Sequence, residues 1–229
     1  MLGPHVMRQN TNMRQAIPPD ERVAVAIMKL ASSSSLRYVM NQFGMAACMV
    51  GLVTHEVCQL LNEIASNKMI CLANLQQITD GFNKKGFPNC VEALGSTHIP
   101  MLCPAGRGRA FTNRKGYASV ILQGMVNHWG CFMNIYSGRA GRAHDAHTFR
   151  NSPLTGLMAK GHYAPRVEET VICRVAVPTV TLADAAYPLK SWLTKPYGGN
   201  VTDRQKLVFN YCLSSYRMAV GYAFGRLKG

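Results

Sequence analysis

The residue best placed to do chemistry is one carboxylate, Asp184. It follows the apolar run Val175-Ala176-Val177-Pro178-Thr179-Val180 and precedes Ala185-Ala186-Tyr187-Pro188-Leu189. That is the pattern of a β-strand that stops at an acid and turns at a proline. An acid at a strand end beside a helix is a common way to build a metal site for phosphate chemistry, because hard divalent cations need oxygen ligands. The helix that should supply a second carboxylate reads as Tyr216 to Lys228, with Met218, Val220, Phe224 and Leu227 as its buried positions. Its middle is Gly221, and no acid lies within two helical turns of it.

Other metal-ligating residues are sparser. His144 and His147 stand at i, i+3, but two ligands do not make a zinc site. Cys90, His98 and Cys103 likewise lack a fourth ligand and read as ordinary strand residues. The eight cysteines, at 48, 58, 71, 90, 103, 131, 173 and 212, form no Cys-x-x-Cys pair. Neither a zinc ribbon nor a redox motif is indicated, and reduced thiols in a nuclear or cytoplasmic protein are the default. No charged-then-apolar leader stands at the N-terminus and no run of 18 apolar residues occurs, so neither a secretory signal nor a membrane span is expected.

Charge points to a polyanionic partner. Over 229 residues the formal net charge is +14, with an isoelectric point near 9.7. Residues 1–100 carry 8 Lys+Arg against 6 Asp+Glu, while residues 101–229 carry 17 against 5, so the excess belongs to the second half. Arg107, Arg109, Arg114, Lys115, Arg139 and Arg142 are the candidates for a face that tracks DNA phosphates. With 48 % hydrophobic and 16 % charged residues the chain is globular rather than disordered.

The elements that would position these residues follow from periodicity. Residues 1–20, with Gly3, Pro4, Pro18 and Pro19, read as an irregular arm. Residues 21–66 read as three helices. The first places Val23, Ile27 and Leu30 on one face. The second, capped within Ser32–Ser35, uses Leu36, Val39, Met40 and Phe43. After a turn at Gly44, the third buries Val50, Val53, Val57, Leu60, Leu61 and Ile64. Helix, glycine turn, helix is the grammar of a helix-turn-helix, and equally of three helices packing without DNA contact. Residues 67–89 read as a linker with short helical pieces. From residue 90 strand signals begin, at Glu92–Ile99, Tyr117–Val126 and, after a turn at Trp129-Gly130, Cys131–Tyr136. Arg139 to Arg142 reads as a basic loop and His144 to Arg150 as a short helix. The acid-tipped strand follows, then a helix from Thr202 to Ser214 with Thr202 as its N-cap and Leu207, Val208, Tyr211 and Cys212 as its apolar side. The result is an α/β domain behind a small all-α one.

Several ordered segments resemble the PIF/Harbinger transposase superfamily. They are Ser96-Thr97-His98-Ile99, Asn113-Arg114-Lys115-Gly116-Tyr117, Gly141 to Asp145, Asp184-Ala185-Ala186-Tyr187-Pro188-Leu189 and Ala223-Phe224-Gly225-Arg226-Leu227-Lys228. Between them lie Trp192-Leu193, Lys195-Pro196-Tyr197, Thr202, Gln205 and Phe209-Asn210. The resemblance implies an RNase H-like DDE superfamily endonuclease domain over residues 90–229, a mixed sheet flanked by helices, continuing beyond Gly229. It implies a divalent cation, Mg²⁺ or Mn²⁺, held by two aspartates and a glutamate. It also implies DNA as substrate, a Myb-like partner protein and a nuclear location.

Carried over residue by residue, the first aspartate position is Gly95, the second is Asp184, and the glutamate position is Gly221. Asp184 and Gly221 enclose 36 residues, the spacing the resemblance leads one to expect. Glu92 cannot stand in for the first acid, because an offset of three puts it on the other face of a strand. Asp145 either caps its helix or approaches the metal. Asn127 replaces an Asp expected there, and Met45-Ala46-Ala47-Cys48-Met49 replaces a polar run at the start of the expected recognition helix. The family activity is metal-dependent cleavage of DNA. A chain with one of three acids reads as a copy that has lost cleavage. The alternatives are a domesticated DNA-binding or protein-interaction module and an unselected relic.

Overall fold

The structure is a computed structural model that describes residues 2–13, 15–32, 34–71, 74–106, 108–160, 163, 170–172 and 174–228. It has two compact units, Met1–Met69 and Ile70–Gly229.

The first unit is all helical: α1 (Gly3–Val6), α2 (Pro19–Ala31), α3 (Leu36–Phe43), α4 (Ala47–Leu60), a π-helical turn over Leu61–Ala65, and α5 (Ser66–Met69). Val6, Val25, Ala26, Val39, Val50, Val53 and Val57 are buried together. Part of the expected irregular arm is thus docked, through α1. Val6 is fully buried, and Pro19 sits in the first turn of α2, where its fixed φ suits the helix. The buried side of α2 is Val25 and Ala26, whereas Ile27 and Leu30 are exposed. Arg22 is buried on the same helix and pairs with Glu56 of α4, which sets the rotation of α2 by charge as well as by apolar contact. Ser35 caps α3 by accepting the Tyr38 N–H at 3.2 Å, and Gly44 ends it in the left-handed region at φ 62°. The segments Leu36–Phe43 and Ala47–Ile64 meet at 97°, an angle compatible with a helix-turn-helix. The outer face of α4 is Cys48, Leu52, His55 and Gln59, which includes no lysine or arginine.

The second unit begins inside the expected linker. Residues Leu75–Asn83 form α6, whose Ile78 and Phe82 are buried against Cys90, Leu182 and Leu213. Then come β1 (Cys90–Pro100), α7 (Gly108–Phe111), β2 (Ser119–Val126), β3 (Phe132–Ala140), α8 (Asp145–Arg150), α9 (Pro153–Ala159), β4 (Thr170–Ile172), β5 (Val175–Val177), β6 (Val180–Leu182), β7 (Leu193–Thr194) and α10 (Arg204–Lys228). Five strands form one sheet in the order β3-β2-β1-β6-β7. The first three are antiparallel, and β6 and β7 run parallel to β1. This mixed sheet flanked by helices is the arrangement of a nuclease-like domain.

Three expected boundaries move. The run Val175–Val180 is two strands, because Pro178 interrupts it: β5 pairs with β4 in a separate hairpin, and only β6 joins the main sheet. The strand β3 continues through Arg139, so the basic loop is shorter than expected. The two closing helices are one 25-residue helix, capped by Asp203 rather than Thr202, since the Asp203 carboxylate accepts the Gln205 N–H at 2.9 Å. A continuous helix offers one stripe to the sheet, and that stripe is Leu213, Val220, Ala223 and Phe224. Leu207, Val208, Tyr211, Met218 and Leu227, read as buried when each half was taken separately, are all at least half exposed.

Ala93, Val126, Val220, Ala223 and Phe224 pack on the α10 face of the sheet. Leu94, Met125, Phe149, Leu154, Met158, Ala183, Tyr187 and Leu193 pack on the other, under α8 and α9. No single helix among the described residues is long and apolar enough to cross a membrane.

Candidate active site

Asp184 stands two residues beyond β6. Because Ala93 pairs with Leu182, the same register carried two residues further sets Gly95 level with Asp184. Gly95 and Gly221 line one cavity of about 230 Å³ with Ser96, Ser214, Arg217, Met218, Val220 and Phe224. Arg217 is the link to the acid: its Nη1 lies 3.1 Å from the Asp184 Oδ2. The other oxygen, Oδ1, accepts the Ala186 N–H at 2.9 Å, which closes the turn after the strand. Both carboxylate oxygens of Asp184 are thus engaged by the protein itself.

The two glycines differ. A Cβ at Gly221 would meet nothing within 4 Å, whereas a Cβ at Gly95 would stand 2.9 and 3.1 Å from the γ-carbons of Val220. Gly95 pairs across the strands with Gly124, whose own Cβ would meet Phe132 and Phe224 at 2.8 and 3.0 Å. Side by side, the two glycines make a flat patch into which Val220 and Phe224 of α10 settle. The space of the first acid is filled by the helix that should carry the third.

The alternation of β1 sends its other side chains to the opposite face. Ser96 donates to the Asp145 Oδ1 at 2.6 Å. Asp145 is the first residue of α8, and the cap position is His144, which makes no side-chain capping bond. The expected capping role is therefore replaced by a tie from α8 to β1. Glu92 is fully buried, accepts from Thr181 at 3.1 Å and Tyr163 at 3.2 Å, and is pushed up to about 8 by burial. It is held as a neutral acid inside the sheet. Asn127 does local work: its Oδ1 accepts the N–H groups of Trp129 and Cys131, both at 3.0 Å, and so shapes the β2–β3 turn.

The residues do not fit a divalent metal centre. No group of three or more His, Cys, Asp or Glu among the described residues is placed to hold an ion. A two-ion site needs several anionic oxygens, and here one carboxylate is already neutralised by a guanidinium.

The basic residues gather at the far ends of β1 and β2. Arg114 and Arg142 line a cavity of about 360 Å³ with His98, His144 and Asp145. Arg142 also lines a neighbouring space of about 450 Å³ with Arg109 and Thr112. Asn113 is buried, and its side chain accepts the Lys115 N–H at 2.9 Å and donates to Ser119 at 3.1 Å, so the Arg114-Lys115 turn is pinned from beneath. Gly141 is required here, since a Cβ would lie 2.1 Å from the Ser119 Oγ and 2.7 Å from two carbonyl oxygens. Arg114 contacts the His144 Nδ1 at 2.8 Å, and burial lowers the pKa of the neighbouring His98. Arg139 is partly buried on β3 and its Nε has no hydrogen-bond partner among the described residues. Arg107 lies outside the described residues.

A profile of DDE superfamily endonucleases matches residues 94–229, a span that holds Gly95, Asp184 and Gly221. The chain belongs to the DDE superfamily endonucleases. Two Arabidopsis thaliana proteins are similar to it. Protein ALP1-like is 29 % identical over 212 residues, covering 91 % of this chain and 52 % of that protein. Antagonist of Like Heterochromatin Protein 1 is 26 % identical over 214 residues, covering 92 % and 54 %. Both matches support the PIF/Harbinger assignment. The chain spans about half the length of the curated relatives it matches. No solved structure matches it. Sequence reasoning about this DDE domain missed Arg217, and it read Val220 as a buried position without its place over Gly95. Arg217 had a signal, standing one helical turn before Gly221 on the same face. The contact of Val220 with Gly95 had none, because it depends on how α10 meets β1.

Proposed function

We propose that this transposase-derived chain, with an RNase H-like domain, binds DNA and does not cut it. The observation that carries the reading is the state of Asp184: it is the only acid at the three triad positions, and Arg217 already neutralises it. A guanidinium occupies the electrostatic role a cation would need, and nothing replaces the other two carboxylates. The arginine-lined spaces around Arg142, with Arg109, Arg114 and Lys115 beside them, support phosphate tracking. A nuclear location and a Myb-like partner belong to the same proposal.

Plasmid nicking with Mn²⁺ tests the loss of cleavage. The chain as it stands should leave supercoiled DNA intact, as should Gly95→Asp and Gly221→Glu singly. Nicking by the unmodified chain that disappears in Asp184→Ala would overturn the reading. Duplex binding should weaken steeply with salt, with a log–log slope of about −4 for four phosphate contacts. Affinity that stays flat from low to high salt would instead favour a protein-interaction module, the second reading. That reading is supported by the cation-free outer face of α4 and by a relative named as an antagonist of a heterochromatin protein.

A further inference from the structure

Another concavity, lined by aromatic and basic residues, shares Met218 of α10 with the cavity that Gly95 and Gly221 line. It has a volume of about 340 Å³ and is lined by Lys85, His128, Trp129, Tyr216, Tyr222 and Arg226, among others. This is the lower end of the size range of small-ligand pockets. No acid lines it, and neither Lys85 nor Arg226 makes an ion pair among the described residues. Its position is the turn joining β2 to β3, at the other end of β2 from the arginine-lined spaces. Eight residues of strand put the two about 25 Å apart.

One wall is a fixed aromatic platform. Trp129 and His128 lie with ring centroids 3.8 Å apart, and His128 stands edge-on to buried Phe82 at 5.8 Å. His128 also presses on Gly81, where a Cβ would fall 2.2 Å from the ring. The Trp129 backbone is held by Asn127. Yet Trp129 itself is 49 % exposed, and Tyr222 across the cavity is 62 % exposed. Trp129 and Tyr222 are thus exposed together in one concavity rimmed by Lys85 and Arg226, rather than scattered singly. Flat π-faces between two unpaired cations match the chemistry of a base with its flanking phosphates. A paired duplex offers only base edges in its grooves, so its bases cannot lie on the ring.

We propose that this cavity takes one unpaired nucleobase of a single strand, stacked on Trp129, with the flanking phosphates on Lys85 and Arg226. It is independent of duplex binding through the Arg109–Arg142 region, so either can fail alone.

The chain has two tryptophans, and Trp192 packs in the core with Phe149. Emission of the folded chain is titrated with a dT12 single strand, an abasic strand of equal charge and a 12-base-pair duplex. The dT12 strand should quench Trp129 emission. Trp129→Ala should weaken dT12 binding about tenfold and leave duplex affinity unchanged. Trp129→Phe should retain most of the dT12 affinity, and Lys85→Ala and Arg226→Ala should each lower the salt slope by about 0.7. Unchanged circular dichroism in each variant excludes misfolding as the cause. Equal binding of dT12 by Trp129→Ala and the parent would overturn the proposal. So would equal quenching by the abasic strand, which would make the cavity a phosphate site only. No quenching by dT12 would do the same and would point to a protein partner on this face.

Discussion

Gly95 and Gly221 look equivalent in sequence, each a glycine where a metal-binding acid is expected. In the structure they are opposites. On the α10 side the vacancy is open, with nothing within 4 Å of a restored Cβ. On the β1 side the vacancy is closed, because Val220 has packed onto the Gly95–Gly124 patch. An acid lost from a solvent-facing helix position leaves room. An acid lost from a strand beneath a helix lets apolar packing take the space, and dense packing then resists its return. The loss of cleavage proposed here is reversible by substitution at one position and structurally obstructed at the other.

That contrast can be broken by stability measurements. The largest effect is expected at the closed position. Gly95→Asp should cost about 3 kcal/mol in urea denaturation, from overpacking against Val220 and from placing a carboxylate against a buried valine. Adding Val220→Ala should recover part of that loss. A Gly95→Asp variant as stable as the parent would mean that α10 yields freely and that the two positions do not differ.

The next effect asks whether β1 tolerates a carboxylate on its other face. Glu92 is raised from 4.5 to about 8 in the folded chain. Below pH 4.5 it is protonated in both states and its contribution is whole. Between pH 4.5 and 8 the unfolded chain releases the proton and the folded one keeps it, so stability falls as pH rises; above 8 the loss is complete. Glu92→Gln should remove that slope and gain about 1–2 kcal/mol at pH 9, less than the full pKa shift because the amide cannot match every hydrogen bond. Parallel pH–stability curves for the two proteins would show that Glu92 is already ionised.

The smallest effect is expected at the open position. Gly221→Glu should stabilise the chain by about 0.5–1 kcal/mol, through the helix propensity of Glu over Gly. A small further gain should come from Arg217 one turn earlier. A destabilised Gly221→Glu would show that the vacancy is not open in solution.

Much of the domain was legible in the chain itself. The acid-tipped strand, the β2–β3 hairpin and the buried valines of α4 all carry local signals: alternation, turn residues and helical spacing. The ordered segments from Ser96 to Lys228 carried the family resemblance, and the family profile matches residues 94–229. The burial of Val6 and of α6 was not legible because it comes from distant partners. Val6 finds α2 and α4, and Phe82 finds Leu213, across gaps in sequence that periodicity does not bridge.

By itself the sequence determined which acids exist. Of the three positions where the resemblance leads one to expect acids, the chain has one at Asp184 and glycines at Gly95 and Gly221, and no fold can add a carboxylate the chain lacks. It also determined where the charge lies, since 17 of the 25 cations fall after residue 100. The tertiary structure alone decided what fills the emptied places. That Arg217 reaches Asp184, that Val220 covers Gly95, and that Tyr222 and Arg226 stand across the cavity from Trp129 depend on the angle and rotation of α10 against the sheet. Those are set by the whole buried stripe from Leu213 to Phe224, because a helix can rotate only as one body.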